Sequence, residues 1–220
     1  EGIERYRISS IEPNLLTDGI IDFVAHSKRF MPHFHIPLQC GSDEVLRLMR
    51  RHYDTALFRH KIDRIREVMP HAFIGVDLIV GARGETAEEF ERSYAFVESL
   101  PISCLHVFPY SERPGTKALE IPHVVSQEEK HHRAARMIAL SDAKLADFTK
   151  QFAGTVRKVL LEHSAEGMPM GGFTDNYIRV SVDAPGCLDN HIVDVLLGDT
   201  GCAGEAVKGT LTEPGGGCHV

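Results

Sequence analysis

Apolar residues recur along the first half of the chain in two rhythms, one of period two and one spaced like a helix face. Period-two runs at 5–12, 33–39, 73–81 and 105–110 predict four strands. The stretches between them read as helices with recognisable starts. Thr17 or Asp18 caps 19–28, Ser42 precedes 43–52, a further helix covers 55–70, and Thr86 opens 86–100 with Glu89 three residues on, a capping box. Ser126 and Glu129 repeat that box before a long helix that reaches about residue 152. Strands alternating with helices in this way predict an α/β fold, a parallel sheet with crossover helices.

Strand parity refines the prediction. Phe34, Ile36 and Leu38 share one face of the second run, opposite His33, His35, Pro37 and Gln39. Ile74, Val76, Leu78 and Val80 oppose Gly75, Asp77, Ile79 and Gly81, and Leu105 and Val107 oppose His106 and Phe108. Each strand thus has an oily face for covering helices and a second face with a polar residue in mid-strand, whereas an open doubly wound sheet is oily on both. The expected architecture is a partial parallel (βα) barrel with a functional lumen, its ligand at the carboxyl ends of the strands. Those ends read SSIEP, PLQCGSD, IVGARGE and FPYSERPG.

Beyond Gly154 the pattern changes to β-branched runs punctuated by glycine. TVRKVLLE, NYIRVSVD, HIVDVLLG and EAVKGTL predict four or five short strands joined by turns such as MPMGG and DAPG, which suits a small antiparallel β-barrel. The expected domains are 1–153, 154–212 and a glycine-rich flexible tail at 213–220. A chain that opens on Glu1, within four residues of a strand, reads as a piece of a longer one.

Composition narrows the function classes. With 43% hydrophobic and 25% charged residues among 220, the chain suits a soluble globular protein. It has no apolar run near the roughly 18 residues that span a bilayer and no signal-peptide layout. A cytoplasmic protein with no membrane or DNA partner is expected. Cys40, Cys104, Cys187, Cys202 and Cys218 are odd in number and widely spaced, which argues against a disulfide framework or a local metal cluster and predicts reduced thiols. The net charge of −7 does not announce a nucleic-acid partner, and 154–211 holds four Lys or Arg against eight acids.

The strand-end segments RISSIEPN, FMPHFHIPLQCGSDEVLRLMRR, GVDLIVGARGETAEEF and LHVFPYSERPGTKA resemble, in order and spacing, the later strands of the radical S-adenosylmethionine methylthiotransferases. TDNYIRV is similar to that family's terminal TRAM domain, an OB-like RNA-binding barrel, and RFMPHFHIPLQ is most similar to the branch that modifies N6-threonylcarbamoyladenosine of tRNA. The resemblance implies S-adenosylmethionine and two 4Fe–4S clusters, whose ligands would lie upstream of Glu1, so that this chain alone would be catalytically silent. It implies tRNA as partner, with isopentenyladenosine tRNA, a ribosomal protein, or a non-catalytic RNA- or protein-binding module as the alternatives. A truncated barrel edge at 5–12 further predicts self-association.

The same resemblance assigns site residues. Gly81 would bring backbone close to the cofactor, braced by Glu85, which on sequence grounds alone is equally a helix-start carboxylate. Gln39 and Ser42 would bind its polar parts, although Ser42 also reads as a helix cap. Ser9 and Glu12 end the first run and Phe108 and Tyr110 the last, where adenine would stack. Arg113 would reach an RNA phosphate or a substrate carboxylate, and Arg157, Arg179 and Tyr177, with Phe173, would face RNA. Ala82-Arg83 stands where the family usually has Phe-Pro, and Cys40 where Ser is common. His33 and His35 read as lumen hydrogen-bonding groups rather than metal ligands. Arg47, Arg50 and Arg51 form a basic cluster with no role beyond a solvated helix face.

Overall fold

A computed structural model describes residues 2–165, 167–199 and 205–212. Contacts divide the chain into two compact units, Glu1–Ser141 and Asp142–Val220. The residues expected to form a flexible tail, 213–220, lie outside the described residues, as do Cys202 and Cys218.

The first unit runs α1 (Asp18–His26), β1 (His33–Gln39), α2 (Asp43–Leu48), α3 (Thr55–Val68), β2 (Phe73–Val80), α4 (Ala87–Ser99), β3 (Cys104–Pro109) and the start of α5 (Gln127–Lys150). The strands form a three-stranded parallel sheet in the order β1-β2-β3. Its oily face follows the predicted parity: Phe34, Ile36, Leu38, Ile74, Val76 and Leu78 are fully buried in one core with Phe58, Ile62 and Ile65 of α3 and Phe90 of α4. Burying a side chain of that size contributes roughly 1.5–3 kcal/mol, so this layer dominates the unit's stability.

The predicted strand at 5–12 does not form. The segment forms an isolated parallel bridge, Tyr6 to Phe30, ahead of β1, and touches the sheet through a bond from Ile11 N–H to the His35 carbonyl. Its apolar positions are few, and Pro13 removes a donor where the ladder would continue. The capping boxes form by halves: the Thr86 and Ser126 hydroxyls accept from Glu89 N–H and Glu129 N–H, but both glutamate side chains reach arginines further along their helices.

The second unit is a closed barrel in the order β4-β5-β6-β8-β7, with β4 (Val156–Leu161), β5 (Met170–Thr174), β6 (Arg179–Val182), β7 (Ile192–Leu197) and β8 (Val207–Leu211). Two expectations need correction. MPMGG is not a turn, since Met170 to Gly172 start β5, and Gly172 lets the Leu160 carbonyl of β4 come closer than any Cβ would allow. The barrel is also not wholly antiparallel, because β6 and β8 pair in parallel. Nor are all the thiols reduced: Cys187 is disulfide-bonded, whereas Cys40 and Cys104 are free and buried.

The barrel leaves no room at Gly209, where an added Cβ would run into Val195, Val180 and Val182. Gly209→Ala should therefore lower stability by about 1–3 kcal/mol. An unchanged urea midpoint would show that the interior has slack there. A second prediction concerns His33, which is 8% exposed and stacks on Phe73 at 5.5 Å. Burial, then the charges of Arg7 and His35, lower its pKa to about 4. Between about pH 6.5 and about pH 4 the unfolded chain takes a proton that the folded chain refuses, so stability falls as pH drops through that window. His33→Gln should remove up to roughly 3 kcal/mol of that loss. Melting curves at about pH 7 and about pH 4.5 test it, and identical pH dependence in the two proteins would clear His33 of the role.

Candidate functional site

The carboxyl ends of the three parallel strands meet a set of turns that one buried carboxylate organises. Gly81 follows β2 with φ +73°, a conformation that favours glycine. Its N–H donates to Glu85 Oε2, and Arg133 of α5 donates to the same oxygen at 2.8 Å and to the Glu85 carbonyl at 2.9 Å. Glu85 is 1% exposed. Burial pushes its carboxyl above the usual range, against the pull of Arg133 and the Gly81 amide. Lys130, one turn before Arg133, covers Gly81 so tightly that a Cβ there would overlap its side chain, and its Nζ donates to the Tyr110 carbonyl at 3.1 Å.

Lys130 and Arg133 were missed in the sequence, although a signal existed. Lys130, Arg133, Ala134, Met137 and Ser141 fall at helical spacing and are all buried, so two cations sit on the apolar stripe of α5. A buried cation needs a partner, and Arg133 has two, the buried Glu85 and the more exposed Glu129. Arg83 was noticed only as a departure. It pairs with Glu112 at 2.6 Å and donates to the Leu119 and Ile121 carbonyls, tying the turn after β2 to the loop after β3.

Of the residues singled out in the sequence, Phe108, Tyr110 and Arg113 come together. They line a cleft of about 310 Å³ with Ile79, Pro109, Ser111, Thr116 and Ala118. Phe108 is 52% exposed, so its ring is open to the cleft side of the sheet. Gln39 lies at a register slip at the end of β1, with φ +68° and half-buried. Ser42 is committed elsewhere: it is buried, its hydroxyl donates to Glu89 and accepts from Val45 N–H, so the cap role prevails over ligand contact. Glu12 pairs with Arg51 at 3.2 Å, and Ser9 is exposed.

On the polar face, His35 Nε2–H donates to Asp77 Oδ1 at 2.7 Å, and the His35 and His106 rings stack at 5.1 Å. Among the described residues, no group of three or more His, Cys, Asp or Glu could hold a metal ion. Burial raises the thiols of Cys40 and Cys104 to about 12, which disfavours the thiolate that an iron–sulfur ligand requires. These two residues do not fit a cluster. The apolar and aromatic walls fit the adenine ring of S-adenosylmethionine, and Arg113 fits the one carboxylate of its methionine end.

In the barrel, the Phe173 and Tyr177 rings stack at 4.7 Å, Tyr177 adopts φ +66°, and exposed Arg179 pairs with Phe173 across β5 and β6. Arg157 is drawn inward, bonded to Asp175 at 2.8 Å and lying over the Phe152 ring. The expected pairing of Arg157 and Arg179 on one open face is thus reduced to Arg179 with the aromatic pair.

Comparison with known proteins agrees with these features. Residues 1–97 match the Radical SAM superfamily. The chain is 39% identical over 201 residues to the threonylcarbamoyladenosine tRNA methylthiotransferase MtaB of Bacillus subtilis, covering 90% of this chain and 45% of that protein. It is 40% identical over 164 residues to the tRNA-2-methylthio-N(6)-dimethylallyladenosine synthase of Corynebacterium urealyticum, covering 74% of this chain and 30% of that protein. The synthase of the same name from Stenotrophomonas maltophilia is 34% identical over 199 residues, 90% of this chain and 42% of that protein. The chain thus spans less than half the length of these relatives. Among solved structures, coproporphyrinogen III oxidase (HemN) from Escherichia coli, a radical SAM enzyme, shares the fold with a TM-score of 0.51 at 17% identity, over 78% of this chain and 44% of that one. A three-stranded parallel sheet, a small closed barrel and these matches make the chain similar to the radical SAM tRNA methylthiotransferases over most of its own length.

Proposed function

We propose that this chain is the cofactor- and RNA-facing part of a tRNA methylthiotransferase that places a methylthio group at C2 of N6-threonylcarbamoyladenosine. The observation that carries the reading is the cleft of Ile79, Phe108, Tyr110 and Arg113 at the strand ends, in a chain matched over 201 residues by a protein named for that reaction. Bound S-adenosylmethionine would supply the radical that opens the substrate C–H bond, with the clusters held by protein outside this chain.

The chain's own residues have simpler tasks. Phe108 and Tyr110 give adenine a flat apolar surface, and Arg113 offers a planar fork to a carboxylate. Glu85 holds the Gly81 turn rigid, and Gln39 presents a neutral amide. Glu12 positions Arg51, and Ser9 is free for a ribose or amino group. The closed barrel acts as a TRAM-like module in which Arg179, Tyr177 and Phe173 meet RNA. The whole enzyme works on tRNA in the cytoplasm, and the chain by itself is inactive. Self-association through 5–12 is a lesser expectation, because that segment makes one bridge rather than a strand.

A second reading has direct support in the dimethylallyladenosine relatives, which reach 40% identity over 164 residues. Mass spectrometry of nucleosides from tRNA of a strain lacking the gene separates the two. Loss of 2-methylthio-N6-threonylcarbamoyladenosine is expected. Its persistence, with loss of the dimethylallyl counterpart instead, would replace the preferred substrate.

A further inference from the structure

We propose that a second, larger cleft, which shares Tyr110 and Ala118 with the first, binds a backbone phosphate of the RNA through Arg50 and Lys117. This rests on the reading that the chain acts on RNA.

The cleft measures about 490 Å³ and is lined by four separate segments, Tyr110 at the end of β3 among them. Arg47 to Arg50 form one wall at the end of α2, Ala82 and Arg83 the floor turn after β2, and Lys117 to Pro122 the far wall. Four cations line it, Arg47, Arg50, Arg83 and Lys117, against a single lining carboxylate, Glu120. Two of the four are committed: Arg47 to Glu44 at 2.6 Å, and Arg83 to Glu112 and two carbonyls. Arg50 and Lys117 are exposed and have no hydrogen-bonded or ion-paired side-chain partner among the described residues.

Both free cations are held in place by the backbone. Arg50 adopts φ +57°, a conformation costly for a residue with a Cβ, and it is fixed from both sides. Arg50 N–H donates to the Arg47 carbonyl, Arg51 N–H to the Leu46 carbonyl, and the Arg51 side chain is anchored on Glu12. Lys117 opens a 3₁₀ turn, Lys117–Glu120, whose following residues are tied down by Arg83 and by a bond from Gly84 N–H to the His123 carbonyl. Two cations on separately anchored segments that line one cleft suit a small, fully ionised oxyanion.

The two clefts share Tyr110 and Ala118, so they are one side chain apart. With the first cleft given to the cofactor, an RNA strand crossing the rim would present a backbone phosphate to Arg50 and Lys117 in the second. The apolar lining by Leu48, Met49, Ile121 and Pro122 suits a ribose edge. The chain is acidic overall, yet this cleft is lined by two cations without a side-chain partner among the described residues and by a single carboxylate.

The test is equilibrium binding of the chain to an unmodified tRNA transcript across a salt series. Arg50→Asn, chosen because Asn tolerates positive φ, is combined with Lys117→Gln, and Glu120→Gln is made separately. The double variant should bind roughly tenfold more weakly, with a log–log salt slope shallower by about 1–2. Glu120→Gln should bind more tightly. Melting temperatures near that of the unaltered chain confirm folding. Tight binding by the unaltered chain with no change in affinity or slope in either variant would overturn the cleft assignment alone. Failure of the unaltered chain to bind tRNA at all would overturn the RNA reading, and this assignment with it.

Discussion

The buried Glu85 carboxylate is the constraint on which the strand-end architecture depends. It accepts from the Gly81 amide and from Arg133, so one group joins the turn after β2 to helix α5. Removing one partner of a buried pair costs about 3–5 kcal/mol where the other charge is left without compensation, and here Glu129 and the Gly81 amide lower that cost. The consequence here is local geometry more than total stability. With α5 docked, Lys130 lies over Gly81 and bonds the Tyr110 carbonyl, which sets the end of β3. Arg83, on the same turn, holds the loop that forms the wall of both clefts.

Much of this was legible in the sequence, and the failures have physical causes. Strand parity is a property of the backbone, so the oily and polar faces of β1, β2 and β3 could be read directly. The run at 5–12 has strand-like residues, but a strand exists only when paired, and pairing is decided by the neighbour rather than by propensity. MPMGG looks like a turn because glycine is permissive. In the barrel the same absence of a side chain serves close approach of two strands. The cluster Arg47, Arg50 and Arg51 looked like one solvated face. The structure sends Arg47 to Glu44 and Arg51 to Glu12, 39 residues away, and leaves Arg50 in a cleft. Such sorting depends on long-range partners that spacing along the chain does not encode.

In the barrel, net charge overstates the acidity of the surface. Arg157 and Lys158 are neutralised by Asp175 and Asp194, so the surplus of acids in this unit is partly internal pairing. Arg179 and Lys208 remain outward, and Arg179 lies beside two stacked aromatic rings, a combination that depends on flat surface as much as on charge.

The sheet and its rim divide the chemistry between them. On the polar face His33 is held neutral by burial, and His35 is oriented by a single carboxylate, Asp77, with the His106 ring stacked alongside. Such a surface offers directional hydrogen bonds without a concentration of charge, which suits an uncharged heteroaromatic base better than an anion. At the rim the balance reverses, with Arg113 in one cleft and Arg50 and Lys117 in the other. A ligand that is neutral and flat at one end and anionic at the other would be oriented by this difference alone, before any single contact tightened. A nucleotide has that polarity. An apolar or wholly cationic ligand would be repelled at one end or the other.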